Sequence, residues 1–280
     1  MFATLLGALP RPTAEPDDVD RLIEAAVRAQ EGAGLEPITD GRLRVQAFER
    51  LLTPNAAVQA WQATQSLTER AVKQALPGPF SFAVSVEALV EVVQALATAG
   101  CPLVEIEEDS IDRLADADER TRFRDAHMWL LERATGTHLS VSIAGGAPDP
   151  DVWSTVLGLP YASLAVDLIA GPDNWNLVTR WAGERGVVAG VESGRTADES
   201  KEVLLWAAHY AASTQHRGLE RVGLGSAGSW ANLTWEAAVR KLRLLGEAAR
   251  LAMMPPGEDL FRSLDPRAVS PRRAALGHDA

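Results

Sequence analysis

The chain has 280 residues, of which 46% are hydrophobic and 23% charged, and this is typical of a globular protein with one large domain. Its formal net charge of −11 argues against nucleic acid as a partner, because a nucleic-acid surface needs a dense basic patch. A single cysteine, Cys101, excludes an internal disulfide and a sulfur-rich zinc site. No stretch reaches the ~18 apolar residues of a membrane span, and the N-terminus lacks the charged region of a signal peptide. We therefore expect a soluble, cytoplasmic protein with no membrane partner.

Short apolar runs alternate with amphipathic stretches along the whole chain. The first run covers residues 2–9, and the first helix is predicted to begin near Asp17–Asp18, because acidic residues favour a helix N-terminus. The other strands are predicted at residues 37–41, 80–84, 101–108, 137–143, 162–168, 187–191 and 219–225. Helices are predicted between them at residues 42–52, 86–100, 116–136, 149–158, 172–186, 197–212 and 234–252, and residues 54–79 are predicted to be an excursion before the third strand.

About eight strand–helix units over about 250 residues have the size and rhythm of a TIM barrel. We predict an α/β protein with a single (β/α)8 barrel over residues 1–254 and a mobile C-terminal extension over residues 255–280. A doubly wound sheet is the alternative, but no GxGxxG fingerprint follows the first strand.

The active site of a TIM barrel is built from the carboxyl ends of its strands, and several polar residues are predicted to lie there. Asp40, Arg42, Glu107, His138, Asp167, Glu192 and Arg195 belong to this set. Glu107 and Glu108 are consecutive, so on a strand only one of them faces the barrel interior. Glu105 lies on the same face of the strand as Glu107.

Four segments give the chain a resemblance to a known family. GALPRP (7–12), RAQEGAGLEPITDGRLR (28–44), VKQALPGP (72–79) and ALATAGCPLVEIEED (95–109) are similar, in this order, to segments of the catalytic barrel of cobalamin-independent methionine synthase. The resemblance covers roughly residues 2–250 and implies the uroporphyrinogen-decarboxylase-like barrel fold.

That family transfers a methyl group from a folate to the sulfur of homocysteine, and zinc lowers the pKa of the thiol so that a thiolate can attack. The resemblance places the zinc-binding histidine at His138, the acidic ligand at or near Asp167, and the two cysteines at Ser140 and Ser226. Because a serine hydroxyl is a poor substitute for a thiolate on zinc, we predict a degenerate, zinc-free site. If a metal binds, His138 and Asp167 are its expected ligands.

The family's DGE motif reads Asp40-Gly41-Arg42 here, which puts a cation where the family holds the ammonium of the amino acid. Arg42 and Arg195 are therefore candidates for binding a carboxylate or phosphate, with Arg11 as a further candidate. Glu107, His138 and Asp167 are the catalytic candidates, with Glu107 and His138 as acid and base. Glu192, Asp40, Ser140 and Ser226 complete the predicted substrate site. The alternative interpretations are structural: a barrel-end histidine, an ion pair between Glu107 and an arginine, salt bridges in the loops, and serine as small polar filler.

Three functions remain open at this point. The first is a methionine-synthase-like enzyme that acts on a small anionic metabolite through a rebuilt site, by methyl transfer or another group transfer or cleavage. The second is a thiol or homocysteine S-methyltransferase with an oxygen-rich zinc site and a folate-type methyl donor. The third is a non-catalytic ligand-binding barrel or partner subunit. Because the chain has room for one barrel, any folate activity would need a single-barrel mode, a homodimer or a methyl-carrying partner protein.

Overall fold

The computed structural model describes residues 1–12, 18–44, 48–109, 111–146 and 149–254. The predicted extension at residues 255–280 lies outside this part of the chain. The described residues form seven strands: β1 (Phe2–Thr4), β2 (Lys73–Pro77), β3 (Leu103–Glu108), β4 (His138–Ile143), β5 (Ser163–Asp167), β6 (Gly186–Ser193) and β7 (Val222–Ala227). Their α-helices are α1 (Val19–Ala33), α2 (Pro54–Gln65), α3 (Val86–Thr98), α4 (Ala117–Arg133), α5 (Pro150–Leu157), α6 (Trp175–Arg180), α7 (Lys201–Ser213) and α8 (Trp235–Ala252). None of the described helices is long and apolar enough to span a membrane.

All strand pairs are parallel, and the order in the sheet is β1-β7-β6-β5-β4-β3-β2. The segment 36–38 contacts both edge strands of this curled sheet. The Glu36 amide donates to the Ala3 carbonyl at 2.9 Å, and Ile38 forms a parallel bridge with Val72. An eighth strand was predicted here, but Pro37 has no N–H to donate, and only the single bridge forms.

The helix starts follow ordinary capping chemistry. Asp18 begins α1 and accepts a hydrogen bond from the Asp20 amide, which confirms the predicted helix start. Ser85, Asp116, Asp149, Ser200 and Thr234 cap α3, α4, α5, α7 and α8 in the same way. Each cap satisfies amide groups that a helix start leaves without an intrahelical partner.

Residues of each strand alternate between the helix layer and the interior of the curled sheet. On β3, Val104 and Ile106 pack in the large core between sheet and helices, whereas Leu103 and Glu105 line the interior. A second, smaller cluster of Leu6, Ala165 and Val188 fills part of that interior, with Phe2 packed against it.

The third strand differs from its prediction. β2 covers Lys73–Pro77, not residues 80–84, and the predicted excursion before it contains helix α2. The amides of Phe80 and Ser81 donate to the Glu108 carboxylate at 3.1 and 2.7 Å, so they are unavailable for a strand ladder. Residues 45–47 of the predicted helix at 42–52 lie outside the described residues, and its described part forms the short 3-10 turn Phe48–Leu51.

Candidate functional site

An ion pair between Arg42 and Glu107 lies at the carboxyl end of the sheet. Glu107 follows Leu103 and Glu105 on the interior face of β3, as expected, and its Oε2 contacts Nη2 of Arg42. The exposed fractions of the two side chains are 22% for Arg42 and 14% for Glu107. The Arg42 guanidinium also lies 3.9 Å above the centre of the Phe48 ring, which adds a cation–π contact.

The electrostatic surroundings keep Arg42 charged. Burial lowers the pKa of Arg42 to about 10, and the negative charges of Glu105, Asp40 and Asp109 oppose that shift. The guanidinium is therefore a cation at neutral pH. Among the described residues, Arg42 Nε and Glu107 Oε1 are buried without a hydrogen-bond partner, although each is able to make one more strong bond.

Asp40 shapes the turn that carries Arg42. Its Oδ1 accepts a hydrogen bond from the Arg42 amide at 2.8 Å, and Arg42 has a φ of 57°. Burial raises the pKa of the Asp40 carboxyl, and that hydrogen bond opposes the rise. The Gln30 side chain binds both the amide and the carbonyl of Thr39, at 3.0 and 2.7 Å. This contact joins two parts of the motif segment 28–44, Gln30 and the turn at 40–42.

Asp167 is the last residue of β5, so it lies at the carboxyl end as predicted. Its Oδ1 accepts hydrogen bonds from the amides of Ile169 and Ala170, at 2.9 and 2.8 Å. One oxygen therefore holds the loop after β5.

Glu192 and Ser226 are bonded to other parts of the protein near this end of the sheet. Both are fully buried: Glu192 pairs with Lys241 of α8, while the Ser226 hydroxyl donates to the Leu6 carbonyl and accepts from the Leu6 amide, both at 2.7 Å. They are predicted to bind substrate, and in the structure they connect β6 to α8 and β7 to the segment after β1.

Glu192 keeps an unusual feature. Its Oε2 is buried without a partner among the described residues, and burial raises the pKa of the carboxyl against the effect of Lys241.

His138 and Ser140 lie at the opposite end from their predicted position. His138 is the first residue of β4, and its Nε2 lies 2.8 Å from the Ser163 hydroxyl, while Ser140 Oγ donates to the Ser163 carbonyl at 3.4 Å. The carboxyl end of β4 is formed by Ser142 and Ile143, with Ser142 in register with Glu107. The resemblance predicted His138 and Ser140 at the carboxyl end, but β4 continues beyond Ser140 to Ile143.

Arg195 and Arg11 are both exposed, in loops that follow the carboxyl ends of β6 and β1. The Arg195 amide lies 3.4 Å from the Ser193 hydroxyl, which it donates to. The structure therefore brings Arg42, Glu107 and Asp40 together and leaves these two arginines in the surrounding loops.

A buried hydrogen-bond network lies behind Glu107 and was not predicted from the sequence. Glu108 points into the helix layer, where its Oε1 lies 3.0 Å from Nε2 of His127, and Nδ1 of His127 lies 2.7 Å from the Tyr161 hydroxyl. Glu108 also accepts the Phe80 and Ser81 amides. The signal was present in the consecutive glutamates, since the one that faces the helices needs a buried partner.

A cavity of about 530 Å³ opens at the amino end of the sheet and was also missed. Lys73 and Glu105 line it and form a buried ion pair, with Lys73 Nζ 2.8 and 2.9 Å from the two carboxylate oxygens. Its other lining residues include Phe2, Thr4, Leu103, His138, Ser163 and Val188.

The described residues do not fit a zinc site. They contain no group of three or more His, Cys, Asp and Glu side chains that could hold a metal ion. Cys101 lies before the amino end of β3, and burial raises the pKa of its thiol to about 11. His138 is also at the amino end, whereas the strand end beside Glu107 offers the hydroxyl of Ser142.

No protein-family model and no curated protein sequence matches this chain. Its structure is similar to a B12-independent methionine synthase from Shewanella sp. W3-18-1 in complex with selenomethionine, with a TM-score of 0.71, 14% identity, and coverage of 89% of this chain and 96% of that one. It is also similar to a protein assigned as a vitamin-B12-independent methionine synthase from Listeria monocytogenes, with a TM-score of 0.72, 16% identity, and coverage of 91% and 98%. A xylose isomerase-like TIM barrel protein from Mycobacterium smegmatis follows at a TM-score of 0.51 and 10% identity, covering 91% and 98%. These similarities show the fold: a parallel, curled α/β sheet of the TIM-barrel type, like that of the methionine synthase structures.

Proposed function

We propose that the chain is an enzyme of the methionine-synthase-like barrel type that acts without zinc on a small metabolite bearing a carboxylate. The segment 36–38 would complete the barrel between β1 and β2. The site is the carboxyl end of the sheet, and the observation that carries the proposal is the Arg42–Glu107 pair, which is partly exposed and has one unused polar atom on each partner.

The charges define what this pair recognises. Arg42 is a cation that donates in a planar fork, and such a fork matches a carboxylate in two parallel hydrogen bonds. A substrate carboxylate on Arg42 would take the place of Glu107. Glu107 would then be free to accept a proton from the substrate.

The neighbouring residues have supporting roles in this mechanism. Asp40 holds the turn that presents Arg42, and Asp167 holds the loop after β5. Ser142, in register with Glu107, places a hydroxyl beside it as a donor to a substrate oxygen. The reaction class that fits is proton transfer coupled to group transfer or cleavage, in which a carboxylate is the base.

The thiol methyltransferase with an oxygen-rich zinc site is disfavoured by the donor set. The two predicted zinc ligands lie at opposite ends of the sheet. His138 is at the amino end of β4, and Asp167 is at the carboxyl end of β5. The non-catalytic alternative remains as an outcome of the test below.

The test is enrichment of small metabolites from a low-molecular-weight cell extract, identified by mass spectrometry and followed over time for conversion. The wild-type protein is compared with Arg42→Met and with Arg44→Met, a matched control from the same segment whose guanidinium pairs with Asp20. We expect carboxylates that the wild type and Arg44→Met retain and Arg42→Met loses, and Glu107→Gln is expected to bind them without converting them. Equal retention by all variants, or retained compounds without an acid group, would contradict the proposal. Retention without any conversion by the wild type would favour the ligand-binding barrel.

A further inference from the structure

Lysine is rare in this chain, and its placement is uneven. The sequence has 24 arginines but only three lysines, at positions 73, 201 and 241. Two of the three, Lys73 and Lys241, have exposed side-chain fractions of 1% and 0%, and each pairs with a buried glutamate.

The two buried lysines differ in how fully they are bonded. Lys241 Nζ contacts Glu192 and the Ala197 carbonyl, and it lies 3.5 Å from Asp198. Lys73 Nζ makes both of its hydrogen bonds within the described residues to a single carboxylate, that of Glu105. An ammonium carries three protons, so Lys241 is saturated by the protein and Lys73 is not.

They also differ in their access to ligands. Lys73 and Glu105 line the cavity of about 530 Å³ at the amino end of the sheet, and Lys241 does not line it. A cavity of this volume is in the range that holds small organic ligands. Phe2, Leu103 and Val188 give it apolar walls. The hydroxyls of Thr4 and Ser163, with the imidazole of His138, add polar groups.

We propose that this cavity is a binding site for small aldehydes or ketones with an apolar body, which Lys73 captures reversibly as an imine. The site is separate from the Arg42–Glu107 site and does not depend on the function proposed for it.

The step balances within the pair. Glu105 takes one proton from the Lys73 ammonium, and the freed nitrogen lone pair attacks the carbonyl carbon while the oxygen takes that proton from Glu105. Glu105 then removes a second proton from nitrogen and delivers it to the hydroxyl, which leaves as water as the C=N bond forms. The product is a protonated imine beside the Glu105 carboxylate, so the buried charge pair is preserved.

The surroundings of Lys73 favour this chemistry. Burial lowers the pKa of the Lys73 ammonium, against the opposing effect of Glu105, and desolvation of a lysine is a common way of producing a reactive amine.

The test treats the full-length protein with benzaldehyde and sodium cyanoborohydride at neutral pH and locates N-benzyl groups by peptide mass spectrometry. We expect Lys73 to react faster than the exposed Lys201, because the cavity holds the aldehyde beside the Lys73 nitrogen and burial lowers the pKa of the Lys73 ammonium. The Lys73 rate should saturate with benzaldehyde concentration, whereas the Lys201 rate should rise linearly. Lys241 is the matched control, because it is equally buried and also paired with a glutamate. If Lys73 reacts no faster than Lys241, the proposal is wrong.

Two variants are designed to close the cavity while Lys73 itself stays unchanged. Ala162 and Glu184 line its opening and are exposed, so that tryptophan at either position is tolerated by the core. In Ala162→Trp and in Glu184→Trp, the Lys73 rate should fall to that of Lys241, with no change at Lys201 and with native melting behaviour. An unchanged Lys73 rate in a folded occluded variant would overturn the assignment of the cavity as the route to the amine.

Discussion

The two ends of the sheet use their charged residues differently. At the carboxyl end, Arg42 contacts Glu107, and the buried Glu192 is bonded to Lys241 behind the sheet. At the amino end, the Lys73–Glu105 pair faces an open cavity. The site proposed at the carboxyl end agrees with the rule that TIM-barrel sites lie beyond the carboxyl ends of the strands. The cavity at the amino end shows that side chains do not fill the whole interior of the sheet.

Strand register, more than motif similarity, decides at which end of the sheet a polar residue lies. His138 and Glu107 are both polar residues of neighbouring parallel strands, yet His138 is in register with Leu103 at the start of β3. Four residues separate Leu103 from Glu107 along β3, which at ~3.3 Å per residue is about 13 Å. Two residues that far apart belong to opposite ends of the sheet.

The largest expected effect comes from breaking the buried pair behind the carboxyl end. Lys241→Met leaves the fully buried Glu192 without its cation, which should lower the free energy of unfolding by about 3–5 kcal/mol. Lys201→Met removes an exposed pair with Glu247 and should change it by less than about 1 kcal/mol. Chemical denaturation of both variants checks this, and equal effects would mean that the Glu192–Lys241 pair carries no special weight in holding α8 to the sheet.

A smaller effect is expected where the backbone approaches the glutamates of β3. A Cβ at Gly78 would collide with the Glu108 carboxylate and with the carbonyl oxygen of Glu107, so Gly78→Ala should destabilise the protein by about 1–3 kcal/mol. The control, Gly32→Ala in α1, meets nothing within 4 Å and should stabilise it by up to about 1 kcal/mol.

The Gly78 variant also sharpens the comparison between the ends. Because the atoms that a Cβ at Gly78 would meet belong to Glu107 and Glu108 at the carboxyl end of β3, Gly78→Ala should weaken metabolite retention by Arg42 and leave benzylation of Lys73 unchanged. Loss of Lys73 reactivity in the folded variant would show that the two ends are coupled.

The fold was within reach of the sequence because it rests on repeated local signals. The alternation of apolar runs with amphipathic helices predicted the strand–helix rhythm and most helix starts, and the four motif segments indicated the methionine-synthase-like barrel. The prediction of a strand at 80–84 was wrong, because the aromatic, apolar residues there pack as side chains without forming a strand. The ring of Phe80 makes a T-shaped contact with that of Phe123, with 5.4 Å between the ring centres. Pattern alone does not reveal that the adjacent amides bind Glu108.

The site was predicted only in part, and particular residues show why. Glu107 and Asp40 both contact Arg42, and the sequence predicted their positions because strand alternation and the DGR turn are local features. The buried partners Lys73, Lys241 and His127 come from other strands and helices, and no spacing in the sequence reports such a contact. Ser226 looked like a ligand position, yet its hydroxyl is used twice by Leu6, which only the register of β1 with β7 reveals.

The smallest effect concerns pH and tests where His138 belongs. Burial lowers the pKa of His138 in the folded protein, so the unfolded chain binds the extra proton first as the pH falls through the usual histidine range near 6.5. This contribution to stability is present above that range and is lost on acidification. In His138→Gln, whose amide reaches about as far as Nε2 and is able to keep the bond to Ser163, unfolding should therefore depend less on pH between about 7 and 5.5 than in the wild type. Because His138 lies at the amino end, the same variant should retain carboxylates at Arg42 as the wild type does. Parallel pH profiles together with lost retention would instead return His138 to the carboxyl-end site.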